Sequence, residues 1–126
     1  MAPIKVLIVE DEAIIALDIQ CALERAGYEV TGIATSGDDA AASLHAKRPD
    51  VMVMDIAIEG GREGIRLARG LIRDYGVPLI LLADMIDTPI AHEASRTAVH
   101  GLVIKPFGTS ELLDTLNRAL GSNRIQ

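Results

Sequence analysis

From Val51 to Ile58 the chain reads VMVMDIAI, apolar throughout except for one carboxylate, Asp55. A run of strand length without polar alternation has no face to give to water, so it predicts a strand buried on both sides. Strands of that kind belong to parallel sheets, whose crossover helices cover both faces. A Glu-Gly-Gly turn, Glu59 to Gly61, follows. Ligands of open parallel sheets bind outside the carboxyl ends of the strands, so Asp55 stands where a carboxylate remains usable.

The rest of the chain alternates in the same manner. Ile4 to Val9 predicts a first strand ended by Glu10, Asp11 and Glu12, and Ala13 to Ala26 a helix closed by Gly27. Glu29 to Ala34 predicts a second strand, and Gly37 to Lys47, introduced by Ser36, an Ala-rich helix. After the Asp55 strand, Ile65, Ala68, Leu71 and Ile72 recur at helical spacing up to Tyr75, and Leu79 to Leu82 forms a fourth strand ended by Ala83 and Asp84. Thr88 and Pro89 open a fourth helix over Ile90 to Val99, and Gly101 to Ile104 is a fifth strand running into Lys105, Pro106 and Phe107. Thr109 or Ser110 caps a fifth helix through Leu120, stopped by Gly121.

Five such units predict an α/β fold: a doubly wound five-stranded parallel sheet, flavodoxin-like, with strand order 2-1-3-4-5. One domain is expected over residues 1–121, with 122–126 a frayed tail. The switch point of that order lies between strands 1 and 3, which brings Glu10, Asp11 and Asp55 into one crevice with Lys105 approaching from strand 5.

A net charge of −6 and an aromatic content of 2% argue against a nucleic-acid partner, which needs clustered cations and stacking surfaces. A single cysteine, Cys21, and no secretion signal point to a reducing interior, and no run is long enough to span a bilayer, so a cytoplasmic protein is expected. In the first helix Ile15, Ile19, Ala22 and Ala26 form one apolar stripe and Ile14, Leu17 and Cys21 a second, which predicts a docking surface. His45, His92 and His100 lack metal-ligand spacing, and Arg62, Arg66, Arg69 and Arg73 recur as a solvated helix face.

Clustered carboxylates repel unless a cation or a proton intervenes. All-oxygen donors select a hard ion, Mg²⁺ above all. Asp55 is a competent nucleophile for an aspartyl phosphate, Lys105 suits an anionic group, and backbone N–H groups after Asp55 and near Ala83 would assist.

Four segments carry a family resemblance: VLIVEDE at Val6 to Glu12, VMVMDIAI at Val51 to Ile58, VPLILLA at Val77 to Ala83 and GLVIKPF at Gly101 to Phe107. Together they resemble the response-regulator receiver domain of two-component signalling. The resemblance implies that Asp55 is the phosphoacceptor, that Glu10 and Asp11 bind Mg²⁺ with the Ala57 carbonyl completing the shell, and that Lys105 contacts the phosphoryl group beside a cis Pro106. It implies a histidine kinase or histidine phosphotransfer protein docking on the first helix. A homodimer or output protein would use the face of the fourth helix, fifth strand and fifth helix. Such a domain is no conventional enzyme, although it catalyses its own phosphotransfer and autodephosphorylation.

Two positions depart from the family pattern. Ala83 stands where a hydroxyl residue is usual and Leu102 where an aromatic is usual, and these two normally act together as a switch. Asp84 adds a charge where a small residue is common, and Gly60, Gly61 and Gly64 fit a variant with a longer loop after the phosphoacceptor. The expected function is a stand-alone phosphoacceptor, with a phosphorylation-independent interaction module of the same fold as the alternative. A phosphohydrolase would need an acid/base residue where Ala57 stands, and a flavin site an aromatic at the crevice.

Overall fold

Alternating Val, Leu, Ile and Met residues form the strands of a computed structural model that describes residues 2–59, 62–84, 89, 92–93, 96 and 99–124. Its elements are β1 (Lys5–Val9), α1 (Ala13–Arg25), β2 (Glu29–Ala34), α2 (Gly37–Ala46), β3 (Val51–Asp55), α3 (Arg62–Tyr75), β4 (Leu79–Asp84), β5 (Gly101–Lys105) and the C-terminal helix α4 (Thr109–Arg124). The helix expected over Ile90 to Val99 falls largely outside the described residues. All strand pairs are parallel and the order is β2-β1-β3-β4-β5, as the alternation predicts.

The sheet divides two cores. Leu7, Val9, Met52, Met54, Leu81 and Ala83 face α2 and α3, while Val6, Ile8, Val53, Ile80, Leu82 and Val103 face α1 and α4. Strand β3 is buried along its whole length, which is why its sequence shows no alternation. Each large side chain so buried contributes about 1.5–3 kcal/mol.

Helix ends follow local chemistry. Leu23 accepts the Tyr28 N–H at 3.0 Å and Glu24 the Gly27 N–H at 3.1 Å. With Gly27 at φ +93° this is a Schellman stop, a conformation that a side chain would strain. Ser36 Oγ accepts the Asp39 N–H at 3.1 Å, and Asp39 Oδ2 in return accepts the Thr35 N–H at 3.0 Å, fixing the start of α2.

Several expectations are corrected. The Val51 strand ends at Asp55, and Ile56–Glu59 is a 3-10 turn. The cause is the Asp55 side chain, whose Oδ1 accepts the Ala57 N–H at 2.9 Å and draws the backbone out of the ladder. The buried seam of α1 is Ala16, Ile19 and Leu23, with Ala26 exposed beyond it. Gly121 does not stop α4, which continues to Arg124. The Leu112 N–H donates to the Gly108 carbonyl at 3.3 Å, so Gly108 rather than Thr109 or Ser110 holds the capping position.

Candidate functional site

Glu10 and Asp55 lie at the carboxyl ends of the two central strands, where β1 pairs with β3 up to Val9 opposite Met54. Both are buried, Glu10 2% and Asp55 5% exposed. Glu10 is fixed by its backbone, whose N–H donates to the Ala34 carbonyl at 2.8 Å. Its Oε2 accepts the Glu12 N–H at 3.1 Å, and its Oε1 is buried with no partner among the described residues. On Asp55, Oδ1 holds the Ala57 N–H and Oδ2 is ion-paired with Lys105 Nζ. The peptide bond between Lys105 and Pro106 is cis.

The lysine reaches Asp55 from a strand that is not its neighbour. In register Asp55 lies opposite Leu82 and Asp84 opposite Lys105, so the Lys105 side chain crosses the end of β4. Asp55, Leu82, Asp84 and Lys105 share one face by strand alternation. The Ala83 methyl belongs to the opposite core, 1% exposed, and Leu102 packs against that same core.

The two buried carboxyls differ electrostatically. Burial, then the Asp55 carboxylate and more weakly Asp11, push Glu10 from 4.5 up to about 8. Burial would raise Asp55 as well, but Glu10, the Lys105 ammonium and the Ala57 N–H outweigh it and hold Asp55 below the ordinary carboxylate range. One group of the pair is therefore poised to keep a proton and the other to stay ionised.

Asp11 is exposed beside them and Ala57 is exposed on the turn, and no three His, Cys, Asp or Glu side chains among the described residues form a ready metal cluster. The donor set nevertheless fits a hard divalent cation, because the orphaned Glu10 Oε1 faces no hydrogen-bond donor and lies in a carboxylate pair that repels without a proton or a cation. His100 is exposed, yet it makes a backbone contact that the sequence does not announce. Its Nδ1 accepts the Leu79 N–H at 3.2 Å while the His100 backbone N–H donates to the Leu79 carbonyl at 2.9 Å, and partial burial of the ring lowers its pKa. A lone histidine at the start of a strand gives no sign of that bond.

The model of the response regulator receiver domain matches residues 6–117. Over 122 residues the chain is 30% identical to the transcriptional regulatory protein PdtaR of Mycobacterium tuberculosis, covering 97% of this chain and 59% of PdtaR, so it spans little more than half of that relative. It is also 30% identical to the chemotaxis protein CheY of Thermotoga maritima over 115 residues, 90% of this chain and 95% of CheY. Among solved structures, the signal receiver domain of a modulated diguanylate cyclase from Desulfovibrio desulfuricans G20 superposes with a TM-score of 0.85 at 28% identity, covering 98% of both chains.

Proposed function

Because the chain belongs to the response regulator receiver domain family, we propose that Asp55 is its phosphoacceptor, phosphorylated by a histidine kinase or a histidine phosphotransfer protein with Mg²⁺ in the acidic pocket. Receiver domains are phosphoacceptor modules of two-component signalling rather than conventional enzymes, and the family binds Mg²⁺ at this pocket. The observation that carries the proposal is the Asp55 carboxylate itself, buried, ionised and tied to an ammonium at a sheet switch point.

In the transfer, an Asp55 carboxylate oxygen attacks phosphorus in line. The bond from phosphorus to the donor imidazole nitrogen breaks, and its electron pair returns to the ring. Lys105 Nζ, whose anionic partner is now esterified, pairs with a phosphoryl oxygen, while the Ala57 N–H is placed to stay with the aspartyl group. Hydrolysis runs the other way: water attacks phosphorus, the acyl phosphate P–O bond breaks, and the restored carboxylate takes Lys105 back. Glu10, Asp11, Asp55 and the Ala57 carbonyl would hold Mg²⁺, which supplies positive charge against the phosphoryl oxygens when bound.

The phosphodonor docks on α1, where Ile14 is 84% and Leu17 54% exposed and Cys21 is also open to solvent. Output is read by a second copy or another protein on the face of β5, α4 and the helix expected over Ile90 to Val99, in the cytoplasm. Among the described residues no helix is long and apolar enough to cross a membrane.

A second reading rests on Ala83 and Leu102. With a methyl group at the end of β4 and Leu102 already packed against the core, neither side chain offers a hydroxyl or a ring to move, which favours an interaction module indifferent to phosphorylation. One experiment separates the two: incubation with Mg²⁺ and acetyl phosphate, read by intact mass, with Asp55→Asn as control. A single phosphoryl adduct absent from the control supports the phosphoacceptor, whereas no adduct from a Mg²⁺-binding protein supports the module.

A further inference from the structure

Between α2 and α3 runs an open groove of about 630 Å³, and its α3 wall is one complete helical stripe. The outer row is Glu63, Arg66, Gly70 and Asp74, and the inner row Leu67, Leu71 and Tyr75. These recur three and four residues apart over three turns, the spacing that presents a continuous surface to another helix. The facing wall is the first turn and a half of α2, from Ser36 to Ala41.

Gly70 lies at the centre of this wall, and nothing among the described residues accounts for it. An added Cβ would meet only the Arg73 guanidinium, at an ordinary 3.7 Å, and the helix there needs no positive φ. Glycine inside a helix is destabilising, so a glycine that its own fold does not need points to something that approaches from outside. The charges around it are self-complementary. Four residues before Gly70 stands Arg66, and four residues after it stands Asp74.

We infer that this groove is a self-association surface, in which α3 of a second copy of the chain packs antiparallel to α3 about a two-fold axis through Gly70. That axis sets Arg66 of each copy against Asp74 of the other, twice, because a two-fold interface repeats every contact. It brings Gly70 against Gly70, where the missing side chains let the helices approach closely. The carboxyl end of the second copy's α3 lies beside the start of α2. Within one copy Arg66 pairs with Glu63, and Arg73 with Asp74 at 3.0 Å, all on exposed side chains, and such pairs exchange partners at little cost. The inference is independent of the phosphoacceptor reading, and the surface lies apart from the α1 and β5–α4 faces.

Charge reversal tests it. Sedimentation equilibrium over a wide concentration series should show the wild-type chain dimerising, with Arg66→Asp and Asp74→Arg each weakening the dimer about tenfold or more, since both symmetry-related pairs turn repulsive at once. The double variant carrying both changes should dimerise again, and so should an equimolar mixture of the two single variants. In a Cys21→Ser background, Gly70→Cys should form a disulfide-linked dimer under mild oxidation, and this second readout does not depend on the reversed charges. A wild-type chain that stays monomeric throughout overturns the inference, and so does a dimer that neither single reversal weakens. Binding of this groove to another protein's helix while the chain stays monomeric would overturn it equally.

Discussion

Lys105 on β5 reaches over the end of β4 to pair with Asp55 on β3, so the ammonium and the carboxylate of this ion pair are supplied by strands that do not touch. Replacing Lys105 by Met removes one side of a pair whose other side stays buried. The variant should lose about 1–3 kcal/mol of stability in urea denaturation at pH 7. Its acetyl phosphate adduct should form more slowly, with the deficit in the rate and not in Mg²⁺ affinity.

Glu10 gives the site a pH dependence of definite sign. Its pKa is raised from 4.5 to about 8 in the folded chain, so the folded state binds its proton more tightly than the unfolded state does. That contribution to stability is complete below the unfolded value and is lost as pH rises through the folded one. With a chelator present, the urea midpoint should fall between pH 5 and pH 8. Added Mg²⁺ should flatten the fall by replacing the proton, and Glu10→Gln should abolish it. A midpoint that rises over this range in chelator contradicts the assignment.

His100 acts in the opposite sense. Its lowered pKa means that the folded chain prefers the neutral ring, whose Nδ1 accepts the Leu79 N–H. The stability it adds is present above its unfolded value of 6.5 and is lost as pH falls through the folded value. A ring-proton NMR titration should place His100 below the ordinary histidine value of 6.5, and protonation should speed hydrogen exchange at the Leu79 amide.

Two glycines of α3 should respond oppositely to alanine. A Cβ on Gly64 would stand 1.9 Å from the Ile56 carbonyl oxygen, a backbone atom of the turn that follows Asp55. Gly64→Ala should cost about 3 kcal/mol, and by displacing that turn it should also weaken phosphoryl uptake. Gly70→Ala meets no such obstacle and should stabilise the dilute monomer by about 0.5–1 kcal/mol. Urea denaturation of both variants at low concentration checks the contrast.

On α1, Ile14→Ser and Leu17→Ser change exposed side chains and should alter stability by no more than about 0.5 kcal/mol. Transfer from a phosphohistidine protein should slow, and phosphorylation by acetyl phosphate should not. Equal slowing with both donors would place the defect in the pocket instead of on the docking face.

The strand order and the meeting of Glu10, Asp55 and Lys105 were legible because a parallel sheet writes itself as unbroken apolar runs, with its working residues just past their ends. What stayed illegible depends on single contacts. The early end of β3 is decided by an Asp55 side chain turning back to the Ala57 N–H, and the role of His100 by one bond to Leu79. Leu23 was missed on α1 because an exposed second stripe blurs the helical period that marks the buried one. Gly121 reads as a stop, yet α4 runs past it with nothing within 4 Å of the missing Cβ, so neither crowding nor a turn ends the helix there.

The order of the strands along the chain has a consequence for synthesis. Glu10 and Asp55 are both made before residue 56, and β1, β2 and β3 can pair as soon as that much chain is available. The counter-ion of Asp55 is residue 105, on the last strand to be made. Until β5 docks, a nascent or truncated domain must hold Asp55 beside Glu10 without the Lys105 ammonium. The site thus works against its own half-built form, and the arrival of Lys105 acts as the latch that makes the finished sheet preferable to any shorter one.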